Sequence, residues 1–283
     1  MNLKLLHIFL LSTAGTFLLC TPFINTVELA NGLVTGKMCW FHLAMLFFSV
    51  CVFFVMLTKK GTVIAFTFSD PLVLFFAGGV LITYKWNLNP EPEKLIFAGQ
   101  LVILWFLLRY VLTAYREFKF FFLFVLMFTG LIEAVWGMQQ LHGYSHSNHS
   151  LFRLTGSFFN PGPYSGYIAV ILPVCLWTAL RFQKGMHYFA WICVGAILIV
   201  LPAGMSRSAW IAAVVACGWV YWTERIGWEK TKAVYRRYKN ATIPFVAIVA
   251  ILAGCAIAGG YGMKRDSADG RLLMWKVTGK AIL

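Results

Sequence analysis

The amino-acid sequence predicts an all-α fold, a polytopic bundle of about nine membrane-spanning helices. Three observations carry that expectation. Of 283 residues, 60% are hydrophobic and only 12% are charged, whereas a soluble domain has roughly 25% charged residues. The mean hydropathy is +0.76. The apolar residues also fall into separate runs approaching the ~20 residues that cross a hydrocarbon core. Together these exclude a soluble globular enzyme, a disordered chain and a fibrous repeat.

The runs cover residues 5–23, 38–57, 71–86, 95–115, 120–141, 162–180, 188–206, 208–222 and 241–261. The first looks like a secretory signal, with Lys4 ahead of a leucine-rich stretch. No small-x-small cleavage site follows, and Phe17-Leu18-Leu19 lacks the small residue a lipoprotein site places before its cysteine, so an uncleaved helix is expected. The third and eighth runs are short. Residues 1–262 thus form a membrane domain, and residues 263–283 begin a region outside it.

The net charge of +14 suits a membrane protein better than a nucleic-acid binder, because Lys and Arg collect in cytoplasmic loops facing anionic lipid. With the N-terminus inside, the inner loops hold Lys4, Lys59, Lys60, Arg116, Lys119, Arg181, Lys184 and the basic run from Arg225 to Lys239. The outer loops before the last span hold only Lys37, Lys85, Lys94, Arg153 and Arg207. The inner segment 223–240 mixes Trp228, Val234 and Tyr235 with its basic residues and reads as an interfacial amphipathic segment on anionic lipid. The tail then lies outside. Its Lys264, Arg265, Arg271, Lys276 and Lys280 run against the charge rule and call for a functional account.

Seven cysteines all lie in apolar stretches without a CxxC pair, so they read as small hydrophobes, with neither disulfide framework nor metal site. His142, His146 and His149 share a Gly/Ser-rich outer segment with no carboxylate, and read as a solvated loop. Charges within spans cost ~2.5–3.5 kcal/mol near the bilayer centre and need a reason. Arg109 lies about 10 Å from the inner face and Glu133 about 21 Å, at 1.5 Å per residue. The two are therefore not expected to pair. Arg109 is expected to snorkel, while Glu133 either faces an outward polar cavity or is a hydrogen-bonded core residue.

Two helix starts face outward. Asn160 before Pro161 supplies an N-cap and a first-turn proline. Ser206-Arg207-Ser208 is a reversal too tight for a solvated loop, with a serine cap and an arginine beside the next helix start. Taken singly, each arginine reads as an interface anchor. Two capped helix starts with Arg207, and with Arg265 and Arg271 on the same side, read as a site for a phosphate-bearing anion.

Three segments carry a family resemblance. Residues 156–167, from Gly156 through Asn160-Pro161 to Tyr167, resemble the "G-T/S-F-x-N-P" stretch that opens a span in bacterial O-antigen ligases and polymerases. Residues 205–210, Met-Ser-Arg-Ser-Ala-Trp, are similar to that family's "S-R-G/S-A-W" reversal. Residues 270–275, Gly-Arg-Leu-Leu-Met-Trp, look like its "G-R-L-x-x-W" segment opening a large periplasmic region. Order, spacing and side of the membrane agree.

The resemblance implies a multi-pass inner-membrane glycosyltransferase that needs no cofactor or metal. Its donor would be an undecaprenyl-pyrophosphate-linked glycan, and its acceptor a lipid A-core, a growing glycan or a protein hydroxyl. Carried over by motif position, Arg207 and Arg271 would hold the pyrophosphate. Asn160, Arg153, Tyr164, Arg265 and Glu133 are the binding candidates beside them. The family's histidine base has no matching position here, which implies that the sequence is a fragment ending before it. Ligase, polymerase and protein-glycosylating variants stay open, as do a permease or lipid-carrier flippase using Glu133 and Arg109, and a non-catalytic anchor or truncated relic.

Overall fold

The computed structural model describes residues 3–26, 31–59, 61–62, 66–67, 69–86, 91–227 and 277. Every regular element among them is helical: α1 (Leu3–Leu19), α2 (Gly32–Thr58), α3 (Ser69–Trp86), α4 (Pro92–Ala114), α5 (Arg116–Leu141), α6 (Pro161–Arg181), α7 (Gly185–Val200) and α8 (Arg207–Tyr221), with short 3-10 turns at Thr21–Phe23 and Pro202–Gly204. These eight helices coincide with the first eight predicted spans. Five are long and apolar enough to cross a membrane: α2, α4, α5, α6, and α7 continued through its 3-10 turn. The chain is thus a multi-pass membrane protein. At 17 and 15 residues, α1 and α8 are shorter. The ninth predicted span lies outside the described residues.

Two compact units divide the chain, residues 1–217 and 218–283. The described part of the second is the last turn of α8, the π turn Trp222–Ile226 with Trp219 and Trp222 in ring contact at 5.1 Å, Gly227 and Val277. All that follows concerns the first unit.

Two of the connections between consecutive helices are tight. A single extended residue, Tyr115 (φ −135°, ψ 101°), separates α4 from α5. The reversal from α7 into α8 closes with Met205 in the left-handed region (φ 51°). One core lies among α5, α6 and α7, centred on Met127, Ile168, Ile171, Cys175, Cys193 and Ile197. A second lies among α1, α2 and the α4–α5 corner, around Leu11, Phe48, Val52, Val111 and Phe118. Apolar lipid gives helices no hydrophobic reason to associate, so close fit must hold them. At Gly130 a Cβ would press on Ile171, and at Gly15 it would sit 3.1 Å from Phe118. The outward faces carry exposed apolar side chains such as Phe9, Phe75, Val170 and Val214, as a lipid-facing surface should.

The bundle has two chemically different ends. One gathers the start of α1, the ends of α2 and α4 and the start of α5, linked by Lys4–Glu117 and by Lys59 donating to the Ala114 carbonyl. The other gathers the α1–α2 connection, the 142–160 loop and the starts of α6 and α8.

Candidate anion site at the loop end

The loop is built on α5. Gln140 reaches up from its last turn, and its amide does what a strand neighbour does elsewhere. Its Oε1 accepts from the backbone N–H of Thr155 (2.9 Å) and Gly156 (2.7 Å), while Nε2 donates to the carbonyls of His146 (3.0 Å) and Gly156 (3.1 Å). Every hydrogen-bonding position of that amide is thereby used. Asn148 adds two donations, to the Gly156 and Phe158 carbonyls, each at 3.2 Å.

About two turns below, Glu133 is fully buried, and its Oε2 accepts from the Ser157 N–H at 3.1 Å. Its other oxygen, Oε1, has no hydrogen-bond partner among the described residues. Tyr164 is buried beside it, donating its hydroxyl to the Glu133 backbone carbonyl at 3.1 Å. Between them runs Gly156 at φ +54°, where a Cβ would collide with Glu133 Oε2 and the Tyr164 ring. Only glycine serves there, on grounds of both conformation and space.

Ser157 also ties the loop to the first helices. Its hydroxyl donates to the Pro22 carbonyl at 2.6 Å. Lys37 in α2 donates to the carbonyls of Ile24 (2.8 Å) and Ser157 (3.0 Å). The loop leaving this knot enters α6 through Asn160, which is extended (φ −135°, ψ 144°) and accepts from the Gly162 N–H at 3.0 Å, with Pro161 following.

From the second turn of α6, the Ser165 hydroxyl donates to the Gly204 carbonyl at 3.2 Å, and a Cβ at Gly204 would strike that oxygen. The beginning of α6 is therefore stitched to the turn that feeds α8. Arg207 opens α8, half-buried and without a hydrogen bond or ion pair among the described residues. Below it, an apolar cavity of about 480 Å³ runs between α6, α7 and α8. Leu172, Trp191, Leu201, Trp210 and Val214 line it, and Trp210 Nε1 is fixed on the Leu201 carbonyl at 2.9 Å. Two helix N-termini, the Arg207 guanidinium and an apolar trough adjoin at one end of the bundle. That set can hold an anionic head with a long apolar tail.

The predicted candidates divide accordingly. Asn160 and Arg207 stand at the two helix starts, and Arg153 is exposed on the loop. Glu133 and Tyr164 are both buried, Tyr164 with its hydroxyl on the Glu133 carbonyl and Glu133 accepting from the Ser157 N–H, so both act as supports of the loop; for Glu133 this is the hydrogen-bonded core alternative. Arg265 and Arg271 lie outside the described residues, as does the interfacial segment from Trp228 onward. The Ser206 hydroxyl faces Ser208 Oγ at 3.3 Å, and it is the Ser206 carbonyl that accepts from the Trp210 N–H.

Arg109 does not simply snorkel, and here the expectation is corrected. It is paired with Asp70, which is fully buried at the start of α3 and also accepts from Trp105 Nε1 (3.0 Å) and the Thr67 N–H (2.6 Å). Asp70 was the missed residue. An acid directly before Pro71, at the head of an apolar run, was the available signal. The histidines are not gathered: His142 Nδ1 contacts the Met138 carbonyl, while His149 accepts from the Leu151 N–H and packs on Phe152 and Phe159. No protein family, curated protein or solved structure matches the chain, so the geometry has to carry the functional argument.

Proposed function

We propose that the protein is a membrane glycosyltransferase of the O-antigen ligase type. It moves a glycan from undecaprenyl-pyrophosphate to a lipid A-core or other acceptor on the periplasmic face of a bacterial inner membrane. The observation that supports this best is the junction of the α6 and α8 starts, with Arg207 above an apolar trough. A polyprenyl pyrophosphate has that same division into a charged head and a long apolar tail. The motif resemblance at 156–167 and 205–210 falls on these two starts. In this reading the loop end faces the periplasm and the lysine-rich end the cytoplasm.

The chemistry is a displacement. An acceptor hydroxyl attacks the anomeric carbon, the bond from that carbon to the pyrophosphate oxygen breaks, and the hydroxyl proton passes to a base. Charge grows on the departing pyrophosphate, where Arg207 and the helix starts stabilise it more strongly than in the ground state. The competing permease reading needs Arg109 and Glu133 along one path. Arg109 is committed to Asp70 and Glu133 to Ser157, which favours transfer over transport.

The test is Arg207→Ala and Arg207→Lys in the intact gene, measured as glycan joined to acceptor and as lipid-linked donor accumulating in cells. Alanine is expected to lower transfer by about 100-fold or more, with lysine partly active and the protein level in the membrane unchanged. Normal transfer by Arg207→Ala sinks the proposal. Movement of substrate into liposomes without any acceptor would favour the permease instead.

A further inference from the structure

At the opposite end, a cavity of about 550 Å³ opens between α1, α2 and the α4–α5 corner, lined among others by Lys4, His7, Thr58, Lys59, Tyr115 and Glu117. We propose that it is a binding site for the phosphate of an anionic membrane phospholipid, held by the ammonium groups of Lys4 and Lys59. The site is separate from the glycan-transfer reading and stands whether or not that reading holds.

The wall chemistry supports an anion. Two α-helix starts (α1, α5) and two α-helix ends (α2, α4) meet here, so the end dipoles largely offset and side-chain charge decides the sign. Glu117 accounts for one cation through its 2.6 Å pair with Lys4. Lys59 remains in excess. It stands 4.0 Å from the centre of the Tyr115 ring and donates one of its three N–H groups to the Ala114 carbonyl.

His7 supplies no countercharge, because an imidazole is either neutral or cationic. It is buried, with Nε2 2.8 Å from the Thr58 hydroxyl and Nδ1 2.5 Å from the Tyr115 hydroxyl. Thr58 in turn donates to the Phe54 carbonyl (2.7 Å). The cavity floor thus carries no negative charge under a net positive rim.

The surroundings point to a lipid. The cavity sits where the apolar helices end, and Leu3, Leu5 and Leu57 beside it are exposed, giving acyl chains a surface directly below a bound headgroup. Two lysines with solvated rims hold a phosphate as point charges.

The experiment uses the full chain in nanodiscs of phosphatidylcholine, with and without one-fifth phosphatidylglycerol, and native mass spectrometry to follow retained lipid. Wild type is expected to retain a phosphatidylglycerol molecule that Lys4→Met/Lys59→Met binds about tenfold more weakly. Lys184→Met, at the same end but outside the cavity, should retain it as wild type does. Equal retention by the double variant overturns the proposal, provided its unfolding in phosphatidylcholine alone matches wild type; Lys59→Gln serves as the second variant if it does not. Inorganic phosphate that displaces no lipid, yet protects wild type as fully as phosphatidylglycerol, would replace the lipid by a free anion and also overturn it.

Discussion

Asp70 and Glu133 are both carboxylates with no solvent exposure inside the bundle, yet their surroundings satisfy them differently. Asp70 sits at a helix start and receives a guanidinium, an indole N–H and a backbone N–H. Glu133 sits mid-helix and receives one backbone N–H on one oxygen, while the other has no partner among the described residues. The first arrangement is a clamp, in which a buried charge is matched and α3 is held to α4. The second gives up hydrogen bonding to fix a loop above it, and that loop leads into the α6 start. An unsatisfied buried acceptor is tolerated where the geometry it enforces is worth more than the bond it lacks.

The contrast can be broken at several points. Arg109→Met strands the Asp70 carboxylate and is expected to cost the most, read from unfolding in detergent. Adding Asp70→Asn should recover most of that loss. Gly156→Ala forces a Cβ against Glu133 and Tyr164 at a left-handed φ, and should cost about 2–3 kcal/mol together with disorder of the 154–160 loop. Asn160→Ala, which removes the α6 cap, should cost about 1 kcal/mol by the same measurement. Glu133→Gln keeps an acceptor for the Ser157 N–H and removes the charge, so a change below about 1 kcal/mol is expected. A loss for Glu133→Gln as large as that for Arg109→Met would mean that the two carboxylates are held alike after all.

How far the sequence foretold this follows from what each signal measures. Apolar runs report position along the chain, and all eight described helices stand where those runs lie. The α6 start was equally legible, because Asn160 and Pro161 act on their own helix. Partners across the bundle were not. The depth estimate for Arg109 runs along one helix axis and is silent about which helix faces it, and its partner lies 39 residues earlier. Gln140 and Ser157 gave no distinctive pattern, since one amide and one hydroxyl near a loop are common. Their importance appears only when the Gly156 carbonyl and the Pro22 carbonyl arrive from elsewhere.

The Asp70–Arg109 pair also constrains how the chain is assembled. During synthesis the acid is made before its base, and Asp70, in the first turn of α3, can stay short of the bilayer centre, where a lone charge would cost ~2.5–3.5 kcal/mol on insertion scales. A newly made α3 therefore gains by waiting at the lipid–water boundary until α4 emerges behind it. The two helices then enter together as a hairpin already neutral at Asp70. A charge pair that looks like a static brace in the finished bundle is thus also an instruction about the order of its manufacture.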